Sequence, residues 1–273
     1  MSHPPPAPDR PAPEVRFGAR TVLAAVALFL VAVPFGLLLL LVKDKWRPLL
    51  RVDNGTSSDL HRYAVDHPWF VTAMDTLSTV GSTGSTAVWL VLFAGVAGWL
   101  VWRRLPRLAL FVVLTVVTSS LVNNAVKLAV DRSRPVLPHP VAHADGFSFP
   151  SGHAQAAVVG YAVLLLVFLP ALHRVWRYLA VAGAAVMVVT IGFARVALGA
   201  HYVSDVLAGY VLGAAWVAAM TAVFNAWRAE RGTRPAHPAQ GLEPEHAARI
   251  GIHDPAERDP QPETPPTEED PGP

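Results

Sequence analysis

The chain has 273 residues, of which 52% are hydrophobic and only 15% are charged, a composition too apolar for an ordinary soluble domain. Its 22 Lys and Arg residues against 20 Asp and Glu give a formal charge of +2, so we expect no polyanion-binding surface and no nucleic acid partner. The absence of cysteine excludes disulfides, thiolate nucleophiles and zinc–thiolate sites.

Six stretches without Asp, Glu, Lys or Arg follow one another along the chain. Each approaches the roughly 20 apolar residues that a helix needs to cross about 30 Å of hydrocarbon. Buried helices of a soluble core are the alternative, but they would need far more amphipathic chain to cover them. The sequence therefore predicts an all-α, polytopic membrane protein with six transmembrane helices in one bundle. The predicted spans are 21–42, 86–102, 108–126, 154–172, 178–193 and 206–227.

The two ends of the chain differ from this hydrophobic body. Proline is frequent in residues 1–20, and residues 229–273 are rich in Pro, Glu and Asp. Such segments cannot bury enough apolar surface to fold by themselves. We therefore expect a disordered N-terminal tail, a membrane domain over residues 21–228, and a disordered acidic C-terminal tail. The first span exceeds the apolar length of a signal peptide, so we expect it to stay in the protein.

Basic residues between the spans predict the orientation. Arginines lie between spans two and three and between spans four and five, and the positive-inside rule places these loops and both termini in the cytoplasm. Residues 43–51 are discordant, because their four basic side chains would face outward. The loop arginines are Arg103, Arg104, Arg107, Arg174 and Arg177.

The segment between spans one and two carries two further signals. Asn54-Gly55 predicts a turn. After Pro68, apolar residues recur at helical spacing from Trp69 to Val80, which predicts an interfacial helix; a loop packed on the bundle is the alternative. In span six, Gly209 and Gly213 permit close helix approach, either within the bundle or between subunits of a homo-oligomer.

Three polar stretches would meet at the outer face under this topology. In the first, Lys127 and Arg134 are seven residues apart, so a persisting helix would place both cations on one face. Pro135 then ends the helix. A snorkelling belt at a helix end is the alternative. Asp131 and Arg132 are interpreted as solvated or paired neighbours.

The second stretch predicts a helix start. Pro150 ends the incoming loop, Ser151 can serve as N-cap, and Gly152 lets another group approach the backbone. Free N–H groups there suit an oxyanion, although capping alone would explain the same residues. His153 lies in the first turn, where the positive helix end disfavours an imidazolium unless an anion binds nearby.

The third stretch contains a histidine and an aspartate four residues apart. On one helical face, Asp205 can accept the ring N–H of His201 and leave the other ring nitrogen free to attack. An ordinary surface hydrogen bond is the alternative. Arg195, six residues before His201, can point to the same place. Cations, two histidines, a carboxylate and a helix N-terminus are the groups that phosphoryl transfer needs.

These stretches resemble the type 2 phosphatidic-acid phosphatases, which share their site pattern with vanadium-dependent haloperoxidases. The signatures Lys-x6-Arg-Pro, Pro-Ser-Gly-His and Ser-Arg-x5-His-x3-Asp match residues 127–135, 150–153 and 195–205. Ala194 stands where the third signature has serine, which removes a possible hydroxyl contact. The resemblance covers about residues 69–227 and implies phosphate binding by three cations assisted by the α-helix start. The three cations are Lys127, Arg134 and Arg195, and the residues at the helix start are Ser151 and Gly152.

The resemblance also implies the reacting groups. His201 would be the nucleophile that becomes phosphohistidine, Asp205 would orient it, and His153 would protonate the leaving alcohol and later activate water. The family implies no metal and no other cofactor. A metal site of His139, His143, His153 and His201 is the alternative, but their spacing fits no familiar ligand pattern.

The expected function is that of a cell-membrane lipid phosphatase whose site faces outward. Its substrate would be a phosphomonoester or diphosphate such as phosphatidic acid, phosphatidylglycerol phosphate or undecaprenyl diphosphate, with selectivity determined by residues 53–85 and the pocket walls. Two alternatives stay open: an anionic-lipid carrier or flippase without hydrolysis, and a phosphatase of soluble sugar or nucleotide phosphates.

Overall fold

The computed structural model describes residues 32–81, 86–138, 140–141, 145–232 and 238–250. The regular secondary structure of these residues is helical, without strands, which confirms the all-α prediction. Three single-turn 3-10 helices lie at Leu169–Ala171, Pro238–Gln240 and Pro244–His246. The α-helices are α1 (Ala32–Lys43), α2 (Arg47–Asp66), α3 (Pro68–Gly81), α4 (Thr86–Trp102), α5 (Pro106–Val130), α6 (Gly152–Phe168), α7 (Arg174–Ala197), α8 (Val203–Glu230) and α9 (Ala247–Ile250).

Four of these helical segments are long and apolar enough to cross a membrane: α5, α6 with its following turn, α7 and α8. The first two predicted spans correspond to shorter apolar helices, α1 and α4. Residues 21–31 of the first span lie outside the described residues. Large apolar side chains cover the outer faces of α4, α5 and α7, as expected for helices that face lipid. Examples are Val91, Leu121 and Val186.

The segment before α4 is more helical than predicted. The expected turn at Asn54-Gly55 is wrong, because both residues lie inside the continuous helix α2. One face of α2 is buried against the bundle, and this packing outweighs the roughly 1 kcal/mol that glycine costs in a helix interior. The predicted helix at 69–80 is present as α3, which packs on α7, so the loop alternative is wrong. Its location at the membrane interface stays a prediction.

Helix α6 packs between α5, α7 and α8 and is held closest to α8. A Cβ on Gly209 would lie 2.6 Å from the backbone oxygen of Ser151, and one on Gly213 would lie 3.0 Å from that of Gln155. The two glycines therefore form a seam within the bundle and fix the N-terminal turn of α6 against α8. Homo-oligomerisation stays a prediction.

Part of the C-terminal segment that we expected to be disordered packs on the bundle. Leu242 is buried and its N–H donates to the carbonyl of Leu166 at 3.0 Å. Arg228, buried near the end of α8, pairs with Glu243 at 3.6 Å and Glu245 at 2.7 Å. An apolar anchor and a buried cation thus order residues 238–250. Residues 1–20 and 251–273 lie outside the described residues.

The helix directions separate two ends of the bundle. Helices α5 and α7 end, and α6 and α8 begin, at the end that we call the site end. The α4–α5 and α6–α7 loops and the end of α8 lie at the opposite end, where the Arg107 guanidinium stacks over Trp227 at 5.5 Å. The polar residues singled out in the sequence therefore lie at one end of the bundle and the loop arginines at the other.

Candidate active site

Two backbone turns bring the polar stretches together at the site end. Asp131 ends α5 in the left-handed conformation, with φ 53°, and the chain then continues without regular secondary structure through Arg134. Gly199, with φ 69°, reverses the chain between α7 and α8, a conformation that glycine adopts without strain. This turn leaves His201 between the two helices, facing the end of the loop from α5.

His201 lies between Arg134 and Asp205. Its Nε2 is 3.2 Å from Nη1 of Arg134, and its Nδ1 is 3.5 Å from Oδ2 of Asp205. Because a guanidinium only donates, Nε2 is the acceptor and the ring proton is on Nδ1, toward the carboxylate. The Nδ1 contact is long for a hydrogen bond, as is common before substrate binds. The lone pair of a potential nucleophile therefore points at a cation.

Burial lowers the pKa of His201 to about 4, and the nearby Arg134 and Arg195 lower it as well, while Asp205 partly raises it. The ring is 2% exposed. It is consequently neutral at neutral pH, which is the state that a nucleophilic imidazole needs.

Asp205 is fully buried and receives three donors besides the histidine. Its Oδ1 accepts from Nη1 of Arg132 at 2.6 Å, and its Oδ2 accepts from the N–H of Tyr202 at 2.9 Å. The hydroxyl of Ser148 also donates to Oδ2. These bonds fix the carboxylate in one orientation toward His201.

The three cations expected to bind phosphate make the hydrogen bonds that the structure describes to uncharged partners, which are oxygens and, for Arg134, also Nε2 of His201. Lys127 Nζ donates to the carbonyl of Phe147 at 2.6 Å, and Arg195 Nη1 donates to the hydroxyl of Ser78 at 3.0 Å. Arg134 donates to three carbonyls at 2.7–3.0 Å, including that of Ala200. Carbonyl and hydroxyl partners orient these groups without cancelling their charge, so the site retains a net positive field for an anion.

The residues at the start of α6 have two roles: Ser151 stabilises the helix end, and the next two residues line the site. Ser151 caps the helix, since its Oγ accepts from the N–H of Ala154 at 3.4 Å while its own N–H donates to the carbonyl of Asp205 at 2.9 Å. Gly152 and His153 line the cavity described next. A Cβ on Gly152 would lie 3.3 Å from Oδ1 of Asn123, so a larger residue would crowd this wall.

A cavity of about 760 Å³ joins these groups to the apolar surface. Its polar end is lined by Lys127, Arg134, His153 and His201, and the rest of its wall includes apolar side chains of α4, α5 and α6. Ser151, Arg195 and Asp205 stand behind this lining. The apolar lining includes Trp89, Leu90, Phe93, Val116 and Leu128.

Leu90 and Leu128 are 59% and 73% exposed, so the apolar part of the cavity opens on the outer surface of the bundle between α4 and α5. A ligand with a charged head group and an apolar chain would therefore fit both the polar end and the apolar part of the cavity.

Several polar residues of the site were missed by sequence reasoning. Arg132 was expected to be solvated or paired, without a partner named; its side chain is 10% exposed and pairs with Asp205 and the distant Asp53. Gln155 accepts from Nδ2 of Asn123 at 2.7 Å and donates to the hydroxyl of Ser119 at 2.8 Å, and all three residues line the cavity. The signal that the sequence offered for Arg132 was its position two residues before Arg134.

Among the described residues, no group of three or more His, Cys, Asp and Glu side chains could hold a metal ion. His139 and His143 of the alternative metal site lie outside the described residues.

Comparison with known proteins assigns the family. The PAP2 superfamily profile matches residues 108–229. Phosphatidylglycerophosphatase B of Bacillus subtilis (strain 168) is 34% identical over 154 residues, which are 55% of this chain and 72% of that protein. Lipid A 1-phosphatase of Rhizobium etli is 36% identical over 121 residues, 41% of this chain, which spans about half (48%) of that relative's length.

The crystal structure of the first transmembrane PAP2 type phosphatidylglycerolphosphate phosphatase from Bacillus subtilis superposes with a TM-score of 0.58. That structure is 26% identical in sequence, and the match covers 70% of this chain and 94% of that one. The resemblance noted in the sequence is thereby confirmed. The chain belongs to the PAP2 superfamily of membrane phosphatases and is a phosphoric ester hydrolase.

Proposed function

We propose that the protein removes phosphate from a membrane lipid through a covalent phosphohistidine at His201. The observation that carries the proposal is the unprotonated Nε2 of His201, which lies 3.2 Å from Arg134 at the polar end of the cavity. The other end of this cavity is apolar and opens to the side of the bundle. A lipid phosphate fits both ends of this cavity, because its head group is anionic and its chains are apolar.

In the first step, Lys127 and Arg134 bind phosphate oxygens, and the phosphate takes over the contact that Arg134 makes with His201. The Nε2 lone pair of His201 forms a bond to phosphorus as the bond from phosphorus to the lipid oxygen breaks. Asp205 stabilises the positive ring through the Nδ1 proton, and His153, which takes up a proton from solvent when the anionic phosphate binds beside it, gives that proton to the leaving oxygen.

In the second step, His153 takes a proton from water, whose oxygen attacks phosphorus as the bond to Nε2 breaks. Inorganic phosphate leaves and His201 is neutral again. With a diphosphate substrate the leaving group is the lipid monophosphate, and the same proton transfers apply.

Phosphatidylglycerol phosphate is the first substrate to test, because a relative and a solved neighbour carry that substrate in their names. Phosphatidic acid and undecaprenyl diphosphate offer the same combination of head and chain. The cavity opening between α4 and α5 favours lateral entry from the bilayer and disfavours a soluble sugar or nucleotide phosphate.

We further propose that the site faces outward from the cell membrane and that both termini are cytoplasmic. Support comes from the arginines at the end of the bundle opposite the site, since basic residues concentrate on the cytoplasmic side. These arginines are Arg103, Arg104, Arg107, Arg174, Arg177, Arg228 and Arg231.

The test is a substrate panel with purified protein in detergent micelles. Phosphate release from the three lipids is compared with release from a short-chain, water-soluble phosphate ester, with and without chelator. Brief incubation with ³²P-labelled lipid, followed by alkaline quenching, should leave label on wild-type protein and none on His201→Ala. His173→Ala, an exposed histidine at the opposite end, is the matched control.

Equal turnover by His201→Ala would remove His201 as the nucleophile. Transfer of labelled lipid between the leaflets of a liposome without release of phosphate would instead identify a carrier or flippase.

A further inference from the structure

A buried network of charges lies directly behind the proposed nucleophile and includes one residue far outside the three motifs. Arg132 donates through Nη1 to Asp205 at 2.6 Å and through Nη2 to Asp53 of α2 at 2.8 Å. Both carboxylates are fully buried, and the side chain of Arg132 is 10% exposed. Tyr202 covers the guanidinium, with its ring centre 4.2 Å away. One cation is thus shared by two anions where water is scarce.

Asp53 also holds the start of α8, the helix that carries Asp205. Its Oδ1 accepts from the N–H of Ser204 at 3.0 Å, and its Oδ2 accepts from the Ser204 hydroxyl at 2.5 Å. A carboxylate at a helix N-terminus is stabilised by the unpaired N–H groups of the first turn. Asp53 therefore fixes the neighbour of Asp205 as well as the arginine that Asp205 shares.

A second contact holds α2 to the same region. His61, two turns beyond Asp53 on the buried face of α2, lies with Nε2 2.5 Å from the carbonyl of Pro138. The segment between α5 and Pro138 carries both Arg132 and Arg134. Helix α2 is thus tied to the start of α8 at one point and to the cationic loop at another.

The charge balance gives Asp53 a role beyond packing. Asp53, Arg132 and Asp205 together carry one negative charge. If Asp53 were uncharged, Arg132 would neutralise Asp205 alone, and the positive ring of a phosphorylated His201 would face a neutral pair. With Asp53 charged, one negative charge is left for that ring, at low dielectric, where a charge interaction is strong.

We propose that Asp53 is a positioning residue that acts through Arg132: it holds the guanidinium and balances its charge, so that Asp205 stays oriented toward the His201 ring and its negative charge is not neutralised by Arg132 during phosphoryl transfer. The inference rests on the function proposed above. It adds a residue from α2, some 150 positions before Asp205 in the chain, to the groups that determine turnover.

The test compares Asp53→Asn with Asp59→Asn. Asp59 lies on the same helix, but its side chain is 69% exposed and pairs with Arg62. Asparagine preserves the shape of Asp53 and removes its charge. We expect kcat of Asp53→Asn to fall about 10- to 100-fold, the range seen when an outer partner of a reacting site is replaced, with KM nearly unchanged because the phosphate-binding cations are untouched. Asp59→Asn should match wild type.

A double-mutant cycle separates charge from folding. Arg132→Gln alone should lower kcat, and adding Asp53→Asn to it should lower kcat little further, since the two side chains act as one unit. Thermal unfolding in detergent and the inhibition constant for inorganic phosphate are measured on each variant. A variant that melts like wild type and binds phosphate normally but turns over slowly supports the proposal.

Wild-type kcat in Asp53→Asn would overturn it, as would a loss of phosphate binding parallel to the loss of kcat, which indicates a purely structural role. Additive effects in the cycle would also overturn it. If wild-type protein itself fails to form labelled phosphohistidine, the proposed function fails, and this outcome is read from the labelling experiment independently of the Asp53 variants.

Discussion

Replacing Gly209 by alanine tests whether the α6–α8 seam positions the site. The added Cβ would lie 2.6 Å from the backbone oxygen of Ser151, 3.0 Å from Cβ of Ala154 and 3.2 Å from the backbone nitrogen of Gln155. Backbone atoms on both sides cannot rotate away, so the start of α6 must move. Overpacking of this kind costs about 1 to 3 kcal/mol. The same shift would displace Gly152 and His153 from the cavity wall.

Gly183→Ala is the matched control. Gly183 lies within α7, and a Cβ there meets nothing within 4 Å. Both substitutions gain roughly 1 kcal/mol of helix propensity, so the difference between the two variants isolates the overpacking. We expect Gly209→Ala to melt several degrees below Gly183→Ala at a fixed heating rate, with reduced kcat/KM. Equal melting and equal activity would refute the argument that this seam fixes the site.

Three further substitutions and a pH series test separate parts of the structure. Arg134→Lys keeps the charge but loses the planar set of donors, so we expect kcat/KM to fall about 100-fold, measured on the preferred lipid. Burial depresses the pKa of His201 to about 4 from the roughly 6.5 of an unfolded chain. Its contribution to stability, up to about 3 kcal/mol, is therefore present above pH 6.5 and is lost as the pH falls toward 4. The melting temperature of wild type should accordingly decline between pH 7 and 5 more steeply than that of His201→Gln; parallel curves would contradict this. Leu242→Ala should release residues 238–250 to limited proteolysis while kcat at 25 °C stays at the wild-type value, because the segment packs far from the cavity. Ala194→Ser should leave kcat/KM unchanged, since a helical serine can bond the carbonyl four residues earlier; a large gain would show that the family hydroxyl is needed.

The helical class and the three motifs could be predicted from the sequence because both depend on local patterns of residues. Hydrophobic stretches without charge mark α5 to α8, and fixed spacings mark Lys127, Arg134, His201 and Asp205. Helix α2 was missed because Asn54-Gly55 was interpreted as a turn and because polar Asp53, Ser57 and His61 interrupt the apolar residues of its inner face, which conceals their helical spacing. The acidic composition of the C-terminal segment likewise concealed the packing of Leu242 and Ile250, whose apolar side chains are both buried on the bundle.

The Asp53 contacts were beyond sequence reasoning for a different reason. Asp53 and Arg132 are 79 residues apart, and no spacing rule connects them. Neither the partners nor the burial of Arg132 could be predicted, because an arginine near a helix end can be satisfied by water or by a buried carboxylate. Only the packing of α2 on the loop and on α8 decides between the two.

Helix α8 has 28 residues and carries a largely buried ion pair near each end, Asp205 with Arg132 and Arg228 with Glu243. From Asp205 to Arg228 it rises roughly 35 Å, somewhat more than the hydrocarbon thickness of about 30 Å. The partners of both pairs belong to other parts of the chain, so α8 cannot slide past its neighbours without breaking these pairs, and we expect it to respond to a change of bilayer thickness by tilting. Because Asp205 moves with this helix, its proposed role leads us to expect that turnover depends on the acyl length of the surrounding lipids as well as on the lipid that is cleaved.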